Sequence, residues 1–174
     1  MKVISSFLLL IVISFSSRGQ TAESFYNEGV KYAESKNYAM AQVSYSMAIH
    51  LNPYEWNYYQ KRSWLYYETK SYDEALEDVN MALKLKPKYE NYNCLSIRSK
   101  IFLEMRNYKS AIEDLDYMID YFPNEFATKI GVSHLDRGKA YLYSGLKSEA
   151  CIDFHESLSR KMGDAGSFIK EFCN

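Results

Sequence analysis

The feature that constrains this chain most is a pattern of residues that returns about every 34 positions. Pro53 and Pro87 are 34 residues apart, and Pro123 follows 36 residues later. In windows opened at residues 22, 56, 92 and 131, the eighth place holds a small residue each time: Gly29, Ser63, Ser99 and Gly138. The eleventh place always holds an aromatic residue: Tyr32, Tyr66, Phe102 and Tyr141. The twentieth place always holds alanine: Ala41, Ala75, Ala111 and Ala150. A period of this length predicts a stack of repeated structural units.

Each unit is predicted to be a pair of packed helices. Small residues at places eight and twenty allow two helix backbones to approach closely, and the aromatic at place eleven fills the space beside them. Place twenty-four holds a larger side chain: Tyr45, Val79, Leu115 and Phe154. Proline at place thirty-two ends the second helix in three units, whereas Met162 stands there in the fourth. The predicted hairpins cover residues 22–55, 56–89, 92–125 and 131–164.

Two short insertions interrupt the period. Glu90 and Asn91 precede the third unit, and five residues from Phe126 to Ile130 precede the fourth. We expect both insertions to lengthen the start of the helix that follows them, so that the stack bends there.

These columns resemble the tetratricopeptide repeat family over residues 22–164. The second unit matches best, and the fourth departs from the pattern at Met162 and Ser157, as an end repeat can. The resemblance implies an all-α fold, a right-handed superhelical stack of antiparallel helix hairpins, or tetratricopeptide-like solenoid. After the fourth unit, Ser167 to Cys173 carries apolar residues at helical spacing, which predicts a C-terminal capping helix over residues 165–173. The alternative is a frayed tail.

The first residues have the composition of a secretory signal. A positive start at Lys2 precedes the apolar stretch Phe7 to Phe15, and small residues Ser17 and Gly19 fit a cleavage site. We therefore expect residues 1–19 to be a signal peptide, with a mature repeat domain over 20–174 in the periplasm or outside the cell. A membrane anchor is the alternative, but it needs about 20 apolar residues. Lipid anchoring would need a cysteine after the cleavage point, and the first is Cys94.

The charge balance bears on the partner. Cleavage would remove Lys2 and Arg18, so that 19 basic and 22 acidic side chains remain, a formal net charge of 19 − 22 = −3. Phosphate binding needs a basic face, and the chain has no run of lysine and arginine. The composition argues against a nucleic-acid partner.

The family resemblance implies that the first helices line a groove that holds an extended peptide. The groove side chains are those at places two, five, six, nine, twelve and thirteen of each unit: Tyr26, Asn27, Val30, Asn57, Gln60, Lys61, Trp64, Tyr67, Asn93, Ile97, Lys100, Leu135, Asp136, Lys139 and Tyr143. Trp64 is the expected anchor, because a large aromatic with one donor suits a desolvated contact. The alternative is that Trp64 and Tyr67 pack between units as core.

A lysine and asparagine clamp for chaperone tails is known in some members of the family. The places of that clamp are occupied here by Tyr26, Val30, Lys61, Asn93 and Ile97. None matches the clamp, so chaperone-tail binding is not expected.

Arginine recurs at place seven as Arg62, Arg98 and Arg137, with Glu28 at that place in the first unit. Stacked arginines could form an anion site, but an unpaired buried charge is costly. We expect each to pair with a neighbouring carboxylate such as Glu28.

The spacing contains no nucleophile–base set, glycine-rich phosphate loop or paired-carboxylate motif. An enzyme would need a degenerate site around His134, Asp136 and Arg137, and His134 stands where the family packs a large core residue. We expect a non-enzymatic scaffold that binds a protein or peptide, without metal or cofactor. Self-association through the end faces of the stack is a further possibility.

The cysteines allow three interpretations. Cys151 and His155 are four residues apart on one helix, and Cys173 follows. A disulfide between Cys151 and Cys173 would tie the terminal helix to the last hairpin, in keeping with an oxidising compartment. Two free buried thiols, or a zinc site that lacks a fourth ligand, are the alternatives. Cys94 is expected to be unpaired and buried.

Overall fold

A computed structural model describes residues 21–86, 91–122 and 127–173. The signal peptide expected over residues 1–19 lies outside these ranges, as do Pro87 and Pro123. The described residues are helical and contain no strand. No described helix is both long and apolar enough to cross a membrane.

The chain divides into two compact units, Met1–Tyr54 and Glu55–Asn174. The described part of the first is one hairpin of α1 (Ala22–Glu34) and α2 (Tyr38–Leu51). The second contains three hairpins and a last helix: α3 (Trp56–Glu68) with α4 (Tyr72–Leu85), α5 (Tyr92–Glu104) with α6 (Tyr108–Tyr121), α7 (Ala127–Tyr143) with α8 (Lys147–Ser159), and α9 (Ala165–Phe172). Within this second unit each helix packs on the next, and the first helices α3, α5 and α7 also contact in succession.

Each predicted hairpin corresponds to two of the described helices, and the two insertions have different effects on the helix that follows. Helix α7 begins at Ala127, before the fourth window opens, so the insertion there does lengthen a helix. In the third unit the expected longer helix start is wrong. Helix α5 begins at Tyr92, and the Asn91 side chain instead accepts a hydrogen bond from the backbone amide of Cys94. Asn91 caps the helix because its side-chain oxygen satisfies an amide that has no partner inside the helix.

The small residue at place eight is matched in size to the side chain at place twenty-four. A Cβ added to Gly29 would lie 2.7 Å from the Tyr45 ring, and one added to Gly138 would lie 2.6 Å from Phe154. The middle hairpins place Ser63 and Ser99 at place eight and the smaller aliphatic Val79 and Leu115 at place twenty-four. All eight residues are buried. Each hairpin therefore fills the same space with a different division of volume.

Each hairpin turn is closed by a residue with left-handed backbone at place fifteen. The φ angles are 60° at Lys36, 62° at Lys70, 58° at Arg106 and 83° at Gly145. The next amide donates back to the carbonyl of the aromatic at place eleven, as in the 2.8 Å bond from Asn37 to Tyr32. This is the Schellman arrangement that ends helices. The aromatic column therefore marks where each first helix stops.

Helix α9 packs on the last hairpin. The Phe168 ring stacks on Phe154 with centroids 4.8 Å apart, and Ala165 is fully buried. A disulfide joins Cys173, just after α9, to Cys151 in α8. The terminal residues therefore form the expected capping helix rather than a frayed tail. The handedness of the whole stack stays a prediction.

Candidate ligand cavity

The first helices of the second unit line one cavity of about 1080 Å³. Tyr67 of α3 lines it together with several residues of α5 and α7, and the α5–α6 turn, the start of α6 and the segment before α9 complete the lining. Its lining is Tyr67, Lys100, Leu103, Glu104, Arg106, Tyr108, Val132, Leu135, Asp136, Lys139, Tyr143, Lys161, Met162, Gly163 and Asp164. A space of this size is slightly larger than the range of about 300–1,000 Å³ that small-molecule and cofactor pockets occupy.

The cavity lining contains apolar side chains and tyrosines as well as charged residues. Leu103, Val132, Leu135 and Met162 supply the apolar surface. The ring of Tyr108 lies 5.8 Å from that of Tyr143, which is 60% exposed. An exposed aromatic beside apolar and charged groups can contact both kinds of ligand group.

Tyr67 is held as a neutral donor at the cavity. Its ring lies 6.1 Å from that of Tyr72. Burial raises the pKa of Tyr67 above its ordinary value, and the nearby Glu104 carboxylate raises it further. The phenol therefore keeps its proton at neutral pH and can donate a hydrogen bond.

The charges of the cavity are only partly paired. Lys139 donates to the Asp136 carboxylate at 3.2 Å. Lys100, Arg106 and Lys161 form no ion pair with any residue that the structure describes. Three cations of the lining are thus without an ion pair, beside the carboxylates of Glu104 and Asp164.

Six of the residues expected to line the groove do line this cavity: Tyr67, Lys100, Leu135, Asp136, Lys139 and Tyr143. Trp64 is not among its lining residues and is 36% exposed. Gln60 is buried, and Asn57, Lys61, Asn93 and Ile97 also lie outside the lining. The first-unit residues Tyr26, Asn27 and Val30 belong to the other compact unit. The binding roles of the residues outside this cavity stay predictions.

Several lining residues were not predicted. Leu103, Glu104 and Val132 are at places twelve, thirteen and two of their units. These are among the six places expected to line the groove, so applying that rule of places to every unit would have found them. Arg106 belongs to the hairpin turn, which the place rule does not cover. Residues 161–164 lie where the fourth unit loses its proline, and that departure from the pattern was the available signal.

The recurring arginines are paired, but not with Glu28. Arg62 donates two hydrogen bonds to Asp78, at 2.7 and 2.8 Å, and Arg98 and Arg137 make the same pair with Asp114 and Asp153. The acceptor is the aspartate at place twenty-three of the same hairpin. The two-pronged guanidinium fits a carboxylate held across the helix pair. In all three hairpins the guanidinium also lies 5.8 Å from the aromatic ring at place eleven.

Two of these arginines also connect neighbouring hairpins. Arg98 donates to Asn80 at 2.9 Å, and Arg137 donates to Asp116 at 2.6 Å. Burial alone would lower the pKa of Arg137, but its bonds to Asp153 and Asp116 outweigh burial and raise the pKa. The guanidinium groups of these arginines donate to side chains of the protein itself. They therefore do not form the stacked anion site that was the alternative interpretation of the sequence.

The residues suggested for a degenerate active site do not converge. The ring of His134 lies 2.8 Å from Asp153, which also accepts from Arg137. His134 is buried, and Asp136 pairs with Lys139 at the cavity. His134 and Arg137 therefore serve the helix pair, whereas Asp136 serves the cavity.

The cysteines are disposed as a disulfide and one buried thiol. Cys151 and Cys173 are bonded to each other, so the zinc alternative loses two of its ligands. Among the described residues no three side chains are grouped as metal ligands. Cys94 is free and fully buried, and burial raises its pKa to about 12.

Comparison with known proteins identifies the fold. No protein-family model matches the chain. Serine/threonine-protein phosphatase 5 of Homo sapiens is 40% identical over 68 residues, which are 39% of this chain and 14% of the phosphatase. The chain thus spans a small fraction of that relative.

Solved structures match over more of the chain. A crystal structure of MamA is 18% identical with a TM-score of 0.75, and the match covers 88% of this chain and 85% of MamA. The first TPR of Spaghetti (RPAP3), bound to the HSP90 peptide SRMEEVD, is 21% identical with a TM-score of 0.63 and covers 72% of this chain and 97% of that one. At these identities the likeness concerns the fold. The chain has the tetratricopeptide repeat fold.

Proposed function

We propose that the protein is a non-enzymatic scaffold that holds an extended segment of a protein partner in the cavity between α3, α5 and α7. One observation carries this proposal: Tyr67 of α3 and several residues of α5 and α7 line a single open space. An extended peptide can contact all three helices at once and gain from each of them.

The lining suggests the chemistry of the bound segment. Lys100, Arg106 and Lys161 have no carboxylate partner among the described residues, whereas Leu103, Val132 and Leu135 offer apolar contact. A segment with carboxylates next to an apolar or aromatic side chain suits both. The peptide bound to the RPAP3 repeat domain, SRMEEVD, also carries acidic side chains. Because the clamp places differ here, we expect another acidic sequence to be preferred.

The test is a binding screen with a charge-matched control. The protein is screened against a peptide library, and the dissociation constant of the best acidic peptide is measured by isothermal titration calorimetry. We expect Lys100→Glu with Arg106→Glu to weaken binding at least about tenfold, since hydrogen bonds to charged groups contribute about 1.5–3 kcal/mol. Lys109→Glu with Lys147→Glu makes the same change in net charge on exposed residues outside the cavity and should bind as the parent does. Equal losses in the two double variants would sink the proposal.

We further propose that the protein acts outside the cytoplasm. The signal-like composition of residues 1–19 and the Cys151–Cys173 disulfide both support export, because disulfides persist in oxidising compartments. Terminal sequencing of the protein recovered from the cell envelope or the medium should begin at Gln20. A chain that accumulates inside the cell with Met1 intact would refute export.

A further inference from the structure

The exposed face of α2 is continuously apolar, whereas glutamates interrupt this face in the other second helices. Met40, Val43, Met47 and Leu51 are each between 39% and 55% exposed, and Tyr54 beyond the helix is 80% exposed. They follow one another at steps of three, four, four and three residues, which keeps the helical members on one side. The result is an apolar stripe, defined here by these five residues.

Two of the five stripe places, nineteen and twenty-two, carry glutamate in the other second helices. Places nineteen and twenty-two hold Glu74 and Glu77 in α4, and Glu113 and Glu149 occupy one of the two places in α6 and α8. From Asn37 to Asn52 the first hairpin has no aspartate, glutamate, lysine or arginine at all. The fold therefore does not require an apolar outer face. This composition is specific to the first hairpin.

The size of the stripe points to an interface. The five side chains expose on the order of 500 Å² together, which is the size of functional patches rather than of scattered surface residues. Two such stripes in contact would bury about 1,000 Å², the lower limit for a specific interface between proteins.

The order of the residues identifies the partner. The spacing is the same when it is read in either direction from Met47. In an antiparallel pair of α2 helices related by a two-fold axis at Met47, that residue meets its own copy. Val43 then meets Leu51, and Met40 meets Tyr54. Every apolar residue thus has an apolar counterpart, which is what a self-complementary interface requires.

The charges favour the same occupant over a lipid surface. Helices that lie in a membrane interface carry lysine and arginine along their polar face, and α2 carries neither. Two uncharged helices can approach without repulsion, and their antiparallel dipoles attract. We infer that the protein forms a weak two-fold dimer through the stripe on α2. This dimer goes beyond the proposed peptide binding and does not depend on it.

The dimer can be tested by sedimentation equilibrium of the whole protein from about 1 to 500 µM, the range suited to a small interface. We expect a monomer–dimer equilibrium that Met47→Glu weakens at least 50-fold, because the two-fold axis brings the two new carboxylates together. Met81→Glu is the matched control: Met81 stands at the same place in α4 and is 38% exposed, against 39% for Met47. It should leave the equilibrium unchanged. Circular dichroism establishes that both variants fold.

A charge-swap experiment tests the register. An equimolar mixture of Met47→Glu and Met47→Lys should regain a dimer that neither variant forms alone, since only contact of residue 47 with its own copy pairs the two charges. A protein that is monomeric throughout the concentration range overturns the inference. So does an equal effect of Met47→Glu and Met81→Glu, or a mixture that stays monomeric. Binding of the monomer to neutral lipid vesicles, lost in Met47→Glu, would assign the stripe to a membrane instead.

Discussion

The first and fourth hairpins share the same contact between their two helices but differ in the interactions around it. In both, glycine at place eight lies against an aromatic ring at place twenty-four, Gly29 against Tyr45 and Gly138 against Phe154. Around this contact the fourth hairpin has a buried ion network at Asp153, a disulfide and a capping helix. The first hairpin has none of these among its described residues. Place twenty-three is Ser44 instead of aspartate, and place seven is Glu28 instead of arginine.

This comparison separates what makes a hairpin from what reinforces it. Helix pairing does not require the ion network or the disulfide, because the first hairpin packs through the small–large contact, buried alanines and the turn. The ion pairs and the disulfide add stability that depends on pH and on redox conditions. The two hairpins should therefore respond differently to the same perturbation.

The largest difference is expected from place twenty-three. Asp153→Ala removes the partner of the His134 ring and one of the two acceptors of Arg137, and leaves donors of both side chains without a partner. We expect a loss of about 3–5 kcal/mol in the free energy of unfolding, the usual cost of breaking a buried pair. Ser44→Ala changes the equivalent residue of the first hairpin and should cost at most about 1 kcal/mol. Urea unfolding measures both, and equal losses would mean that the ion network adds nothing.

The same carboxylate makes stability depend on acid. Burial alone would raise the pKa of Asp153, but hydrogen bonds from Arg137 and His134, together with their charges, lower it below its usual value. A lowered pKa in the folded state stabilises the fold above the unfolded-state value of about 3.9. That contribution disappears as the pH falls through the folded-state pKa. The Asp153→Ala variant should therefore lose less stability between pH 5 and pH 2 than the parent does.

A smaller loss is expected from reduction of the disulfide. The bonded cysteines are 22 residues apart, and a cross-link over a loop of that size contributes about 3 kcal/mol. Reduction, or Cys151→Ser with Cys173→Ser, should first expose the amides of α9 to hydrogen exchange. The first hairpin contains no cysteine and should exchange as before. Protection of α9 that is unchanged after reduction would contradict this prediction.

The smallest expected effect concerns the contact that both hairpins share. Gly29→Ala and Gly138→Ala each place a Cβ within 2.7 Å of a buried ring, so the rings must shift. Overpacking of about 1–3 kcal/mol is partly offset by the better helix propensity of alanine, about 1 kcal/mol. Gly138→Ala should cost more, because the added Cβ would also lie 3.3 Å from the Ala150 carbonyl oxygen, which belongs to the backbone. Phe154→Leu should relieve it, and a double-mutant cycle by thermal unfolding would show whether the two changes couple.

The sequence predicted the parts of the structure that recur in every unit. Small, aromatic and alanine columns located the hairpins, and apolar spacing located α9, because these residues contact within one unit or with the next helix. The partner of each arginine was missed since it lies 16 residues away, across a hairpin whose rotation the pattern does not give.

The cavity was predicted only in part for a related reason. Lys100 and Lys139 follow the place rule, whereas residues 161–164 come from a segment that departs from it. Periodic residues report how each unit packs. The cavity forms where several units and an irregular segment meet in the assembled fold. No single repeat position predicts that meeting point.

The residue with left-handed backbone in each hairpin turn affects which mutations the protein can tolerate. Glycine takes this backbone without steric cost, as at Gly145, whereas Lys36, Lys70 and Arg106 each carry a penalty of about 1–2 kcal/mol. Arg106 accepts this penalty at a position that lines the cavity. At Lys36 and Lys70, substitution by glycine would remove the penalty and stabilise the fold. The more stable protein could then tolerate destabilising substitutions in the cavity.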